Sequence, residues 1–182
     1  MANLLISFFL VTVLIPNLFA AESASWSILR MDGIGPVKVG MTLSQAEKAA
    51  GMKMPAIQEE MNQCTFVAPK GKSQEMIFMV YKGKIVRADV PPGAFDQKPS
   101  PVKTPEGIGM GDSMAKVKKT YRGRITQQRH PYGQDGKDFY LLVKPLDPKD
   151  KDYLMIFELR SGKVTGFRAG LKGDVQAIEG CS

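Results

Sequence analysis

The sequence predicts an α+β fold in which a short helix packed on an antiparallel sheet occurs twice in tandem. The helix-forming pattern of residues 40–47 returns at residues 111–118, at an offset of 71 (111 − 40). The Met-Ile-Phe triplet of residues 76–78 returns at residues 155–157, at an offset of 79 (155 − 76). Tandem units of this size bury a core by packing side by side. The two sheets are therefore expected to be able to join into one continuous sheet.

These patterns divide the chain into four parts. They are a signal peptide (residues 1–20), a first repeat (26–90), a Pro-rich linker (91–104) and a second repeat (105–182).

The N-terminal segment has the pattern of a secretory signal peptide. Residues 4–19 are almost wholly apolar, and no charged side chain precedes Glu22. Cleavage is expected after Ala20 or Ala21, with an uncleaved membrane anchor as the alternative. No cysteine precedes Cys64, so a lipoprotein attachment site is not expected. The pattern predicts a secreted or periplasmic protein without stable membrane insertion after cleavage.

The first predicted helix has clear signals at both ends. Thr42 is a natural N-cap, and Gln45 three residues later completes a capping box. Leu43 and Ala46 then share one face, and Gly51 supplies the left-handed residue that ends a helix.

The second predicted helix repeats this arrangement with different residues. Ser113 replaces threonine as the cap, while Met114, Val117 and Tyr121 fall on one face before Gly123. Both helices span only about nine residues, a length that requires packing on a sheet for stability.

Each helix is followed by three predicted strands, of which the last two form a hairpin. Lys82-Gly83 and Ser161-Gly162 are the predicted turns. The predicted strands are residues 64–68, 76–81 and 84–90 in the first copy, and 140–144, 155–160 and 163–168 in the second. The prolines of residues 91–104 predict a semi-extended linker without strand or helix.

Two cysteines and the net charge limit the protein's environment and partners. In an exported chain Cys64 and Cys181 most simply form a disulfide, with two free thiols in a reducing compartment as the alternative. The formal charge of +7 favours contact with an acidic surface, such as an acidic protein, an anionic lipid or polysaccharide, or nucleic acid, although it is also compatible with a merely solvated basic surface. Nucleic acid is not expected, since no basic run exceeds Lys118-Lys119.

The residues before the first helix carry a resemblance to known families. Residues 37–42 (VKVGMT), followed by a short helix and Gly51, resemble the repeat of β-lactamase inhibitory proteins and the related BamE/SmpA-type domain of bacterial envelope lipoproteins. The resemblance covers most of residues 33–170 as two copies and implies helix-on-sheet units. It also implies either inhibition of an enzyme or a part in envelope assembly. The whole chain is similar to bacterial secreted proteins that end in Glu-Gly-Cys-Ser, as residues 179–182 do here.

Candidate binding residues lie where the two copies differ. The offset grows by eight residues (79 − 71), which predicts an inserted loop at residues 128–138. Arg129, His130 and Tyr132 of this loop, together with Arg168 on the predicted sheet face, are the predicted contacts for a partner. The alternative is a surface loop whose Pro131-Tyr132 pair only packs on the sheet edge.

The sequence predicts no catalytic residue, metal site or cofactor. No motif supplies a nucleophile or a second acid–base group for His130, the single histidine. The expected function is non-catalytic binding of a protein, with inhibition of a secreted or periplasmic enzyme as the sharpest form. A BamE-type envelope module is the alternative.

Overall fold

The computed structural model describes residues 26–92, 98–134 and 136–181, so the predicted signal peptide lies outside the described residues. The fold is α+β, as predicted, with one sheet of three strands and one of seven. The small sheet consists of β1 (Leu29–Arg30), β2 (Gly33–Ile34) and β3 (Val37–Lys38). The first copy continues with α1 (Leu43–Ala50), β4 (Cys64–Val67), β5 (Ile77–Tyr81) and β6 (Lys84–Val90). The second has α2 (Met114–Thr120), β7 (Ile125–Arg129), β8 (Phe139–Val143), a 3-10 helix (Pro148–Asp150), β9 (Tyr153–Arg160), β10 (Lys163–Leu171) and α3 (Lys172–Gln176).

The two copies join into one continuous antiparallel sheet of order β4-β5-β6-β10-β9-β8-β7. The junction is the pair β6 and β10, in which Ala88 lies opposite Ala169 and Asp89 opposite Arg168. The last strand of one copy therefore meets the last strand of the other, which relates the copies by an approximate two-fold axis.

The repeated hairpins match down to their irregularities. The register of β5 and β6 shifts between Met79 and Val80, and that of β9 and β10 shifts between Val164 and Gly166. These shifts leave Val86 and Thr165 as the extra residues, which are equivalent at the predicted offset of 79 (165 − 86). A bulge kept at the same position in both copies indicates one duplicated unit.

The turn before each helix is fastened to its hairpin in the same way. The N–H of Gly40 donates to the Ile85 carbonyl at 2.8 Å, and the N–H of Gly111 donates to the Val164 carbonyl at 2.8 Å. The predicted caps are present as well: Thr42 and Gln45 form the capping box, and Ser113 accepts from the Lys116 N–H.

The main core lies between the sheet and helices α1 and α2. Ala46 and Val117 from the two helices and Phe78 and Phe157 from the two hairpins belong to one buried cluster. We call this side of the sheet the helix face. The opposite side, which we call the tail face, packs against α3 and the C-terminal residues through Val175 and the half-cystine of Cys181.

Several elements were not predicted. Each unit has a fourth segment pairing in front of its three strands: β7 in the second copy, and residues 55–61 beside β4 in the first. The small sheet and α3 were also missed. The predicted linker does more than span a distance, because Ser100, Val102 and Thr104 are buried and the N–H of Leu29 donates to the Lys103 carbonyl.

Candidate binding groove beside an edge strand

The strand pairings show which parts of the second copy contain more residues than the first copy. In each copy, a residue of the segment in front of the three strands pairs with a residue of the next strand. That residue pairs in turn with a residue of the hairpin. The matching trios are Ala56, Val67 and Phe78 in the first copy, and Gln127, Leu141 and Phe157 in the second. The offsets are 71 (127 − 56), 74 (141 − 67) and 79 (157 − 78). The prediction that all eight extra residues lie at residues 128–138 is therefore wrong. A net three lie between the paired positions of β7 and β8. The other five lie between the paired positions of β8 and β9, where they lengthen these two strands, because the loops at residues 68–76 and 144–152 are equally long.

The loop between β8 and β9, residues 144–152, forms one wall of a groove on the tail face. Asp147 caps its 3-10 helix by accepting from the Lys149 N–H at 3.0 Å. Leu146, the residue before this cap, is 83% exposed. The groove has a volume of about 410 Å³.

The groove combines an apolar floor with a basic rim. Leu142 and Leu154 of the sheet and Pro145, Leu146 and Pro148 of the insertion supply its apolar surface.

Three exposed lysines also line the groove, namely Lys144, Lys151 and Lys172. None of the three forms an ion pair with a carboxylate of the described residues, whereas the groove's Asp147 pairs with Lys149 at 2.9 Å. Lysines therefore outnumber carboxylates among the side chains that line the groove, which favours an acidic ligand there.

One long side of the groove is β7, the last strand of the sheet. Thr126 and Gln128 contribute side chains to the groove, and every residue of β7 after Ile125 is exposed. The N–H of His130 donates to the Asp138 carbonyl, and the N–H of Lys144 donates to the Arg124 carbonyl.

The backbone of β7 follows the alternation of an antiparallel pair. Even-numbered residues of this segment bond to β8, so Ile125 and Gln127 direct their N–H and C=O groups away from the sheet.

The opposite end of the sheet is formed by the equivalent segment of the first copy. Residues 55–61 run along β4, where the N–H of Ile57 donates to the Phe66 carbonyl at 2.9 Å and Met61 pairs with Cys64. Among the described residues, no segment pairs with the outer side of β7. The outer side of β7 is therefore an open edge in the described part of the chain, and it borders the groove.

The loop after β7 is held by a buried histidine. His130 is 6% exposed, and its Nε2 lies 2.9 Å from Glu158 Oε1. Its Nδ1 accepts from the Tyr132 N–H at 3.1 Å, which leaves Nε2 to donate to the Glu158 carboxylate. In this arrangement His130 orders the loop and presents no surface to a partner.

Asp138 fastens the other end of that loop. Its carboxylate accepts from the N–H groups of Ser161 and Gln134, both at 2.9 Å, and from Arg160 Nη1 at 3.3 Å. The hydrogen bond from Ser161, then that from Gln134, and more weakly the Arg160 guanidinium hold the pKa of Asp138 below its usual value.

The four predicted binding residues divide into two pairs. Arg129 and Tyr132 lie on the surface, Tyr132 being 67% exposed with its hydroxyl bonded to Glu179, which raises the pKa of Tyr132. His130 and Arg168 are buried. Arg168 donates from Nε to the Val175 carbonyl at 2.7 Å, so the interpretation of Arg168 as an exposed contact is corrected.

The predicted disulfide is present between Cys64 and Cys181 and joins the C-terminal segment to β4. Within residues 26–92, 98–134 and 136–181, no group of three or more His, Cys, Asp or Glu residues is placed to hold a metal ion. In the same part of the chain no helix is long and apolar enough to cross a membrane.

Comparison with known proteins gives one distant structural likeness. No protein-family model and no curated protein sequence matches the chain. The chain is similar to the crystal structure of an extracellular protein containing an SCP domain from Bacillus anthracis strain Ames, with 15% identity and a TM-score of 0.43. The match covers 74% of this chain and 44% of that protein, so the chain spans less than half of its length.

Proposed function

We propose that this protein is an exported, non-catalytic binding protein whose partner is another protein, held in the groove between β7 and residues 144–152. One observation carries the proposal. Within a duplicated scaffold, the loop at residues 144–152 of the second copy forms a wall of an exposed apolar groove with a basic rim. Loops held on a rigid scaffold are where binding surfaces arise.

The disulfide and the signal-peptide pattern support export, because disulfides persist in oxidising compartments outside the cytoplasm. The sharpest form of the proposal is inhibition of a secreted or periplasmic enzyme. The alternative is an envelope assembly module of BamE type, favoured only by the sequence resemblance around residues 37–42.

The test is capture of partners from the extracellular and periplasmic fractions of the source cell by the immobilised mature protein, with two variants as probes. Leu146→Asp places a carboxylate in the basic groove. Ile57→Asp makes the same change at a residue that is 45% exposed at the opposite end of the sheet. We expect Leu146→Asp, and not Ile57→Asp, to lose the partner. Equal capture by wild type and both variants would overturn the groove as the binding site.

The captured partner then separates the two forms of the function. If it is an enzyme whose activity falls in proportion to the added protein, the protein is an inhibitor. If it is a membrane-associated assembly component and the complex fractionates with membranes, the protein is an envelope module. Binding in either case should weaken with added salt, because the rim lysines are exposed.

A further inference from the structure

We propose that the partner supplies an extended, acidic segment that adds to the sheet as an eighth strand along β7. This inference rests on the proposed function, since it specifies how the groove is used. It depends on three features of the described residues: the outward backbone groups of β7, the position of the groove beside them, and the charge of the rim.

The backbone of β7 offers the first feature. Ile125 and Gln127 direct two N–H donors and two C=O acceptors outward, at an edge that no described segment covers. Unpaired strand edges of this kind are templates for another strand. Main-chain hydrogen bonds along such an edge give affinity for an extended peptide without requiring a particular sequence.

The groove offers the second feature. Thr126 and Gln128 project from β7 into the groove, so they lie on the tail face. In a strand added to β7, every second side chain would lie on that same face and lean toward Leu146 and Leu142. The apolar pocket would thus select the alternate side chains of the added strand.

The lysines of the rim are the third feature, and they determine that the added segment should carry acidic side chains. Lys144, Lys151 and Lys172 have no carboxylate partner among the described residues. An acidic segment would supply the missing partners and would be steered toward a chain of net charge +7. A second copy of this chain fits the edge less well, because pairing two β7 strands would bring two basic rims together.

The test uses a synthetic heptapeptide of alternating glutamate and valine, blocked at both ends and labelled for fluorescence anisotropy. Its first control replaces each glutamate by lysine. Its second control keeps the acidic sequence but methylates the backbone nitrogens of alternate residues, in each of the two possible registers, which removes the donors facing β7. We expect the acidic peptide to bind about tenfold or more tightly than either control. Equal binding by the acidic and N-methylated peptides would overturn strand addition.

Gln127 allows a matched test on the protein. Gln127→Pro removes an outward N–H without removing a bond to β8, whereas Gln127→Ala keeps that N–H. We expect peptide affinity to fall about tenfold with proline and to stay within about twofold with alanine. Circular dichroism and the thermal midpoint verify that both variants fold, and the N-methylated peptides give the answer if the proline variant does not.

Hydrogen exchange locates the contact on the wild-type chain. The acidic peptide should slow exchange at the Ile125 and Gln127 amides by about tenfold or more, and the amides already bonded to β8 should change less. Concentration-dependent self-association that protects the same two amides without peptide would instead assign the edge to a second copy and overturn the proposal. Loss of partner capture with Leu146→Asp, combined with no effect of N-methylation, would leave the proposed function standing and sink strand addition alone.

Discussion

Asp89 and Arg168 lie directly opposite each other where β6 meets β10, and they are the same position of the two copies (168 − 89 = 79). Both are buried on the tail face. Asp89 accepts from Arg87 Nε at 2.9 Å, whereas Arg168 donates to the Val175 carbonyl at 2.7 Å. One position of the repeat therefore serves two purposes, an ion pair in the first copy and the docking of α3 in the second.

Arg87→Ala is expected to lower the free energy of unfolding by about 3 kcal/mol, because it leaves the Asp89 carboxylate buried without its partner. It also removes the donor to the carbonyls of Asp174 and Ala177 at the end of α3. Urea denaturation measures the change. Lys53→Ala is the control, since Lys53 pairs with Glu47 while 83% exposed and should contribute less than about 1 kcal/mol. Equal urea midpoints for the two variants would contradict this prediction.

Reduction of the disulfide is expected to lower the free energy of unfolding by at most about 4–5 kcal/mol, because the bridge closes a loop of 117 residues in the unfolded chain. The measurement is denaturation with and without reductant. The double variant Cys64→Ser, Cys181→Ser should match the reduced wild type and should not respond to reductant. A wild type whose stability does not depend on reductant would rule out a stabilising bridge.

Asp138 is expected to make stability depend on pH in the acid range. Its folded pKa is depressed below its unfolded value of about 3.9, so its contribution is complete above the unfolded pKa. That contribution is lost as the pH falls through the folded pKa, because the unfolded chain then binds more protons. Urea unfolding between pH 2 and pH 6 should show a shallower acid decline for Asp138→Asn than for wild type. Glu60→Gln, at an exposed position, is the control and should keep the wild-type slope.

Gly133→Ala is expected to destabilise the loop by about 1–3 kcal/mol, since a Cβ there would lie 2.5 Å from Asp138 Cβ and 2.8 Å from His130 Cβ. Gly173→Ala is the matched control, because a Cβ in α3 would meet nothing within 4 Å. That change should stabilise the helix by about 0.5–1 kcal/mol. Thermal midpoints shifting in opposite directions are the expected result, and a shared direction would contradict it.

Those features of the fold that depend on near neighbours could be predicted. The Thr42–Gln45 capping box and the Lys82-Gly83 turn are set by residues two or three apart, and the structure contains both. The sequence of β7 (ITQQR) has one apolar residue, so it lacks the alternation that marks a strand. It is a strand because β8 supplies its hydrogen-bond partners, and that pairing is long-range.

The candidate site shows the same division. Comparison of the copies from sequence alone predicted that the second is longer by eight residues, but only the strand registers separated three residues near His130 from five that lengthen β8 and β9. The burial of Arg168 depends on α3 packing over it, a contact that no local pattern encodes.

The sequence by itself determined the duplication, the α+β class, the caps, the hairpins and the pairing of two cysteines, because each follows from composition or from spacing along the chain. Only the tertiary structure decided that β7 forms the edge of the sheet beside the groove and which side chains of the second copy reach the surface. Those outcomes depend on which distant segments pack together. The free energy that favours this packing comes from contacts across the whole sheet, so no single segment encodes it.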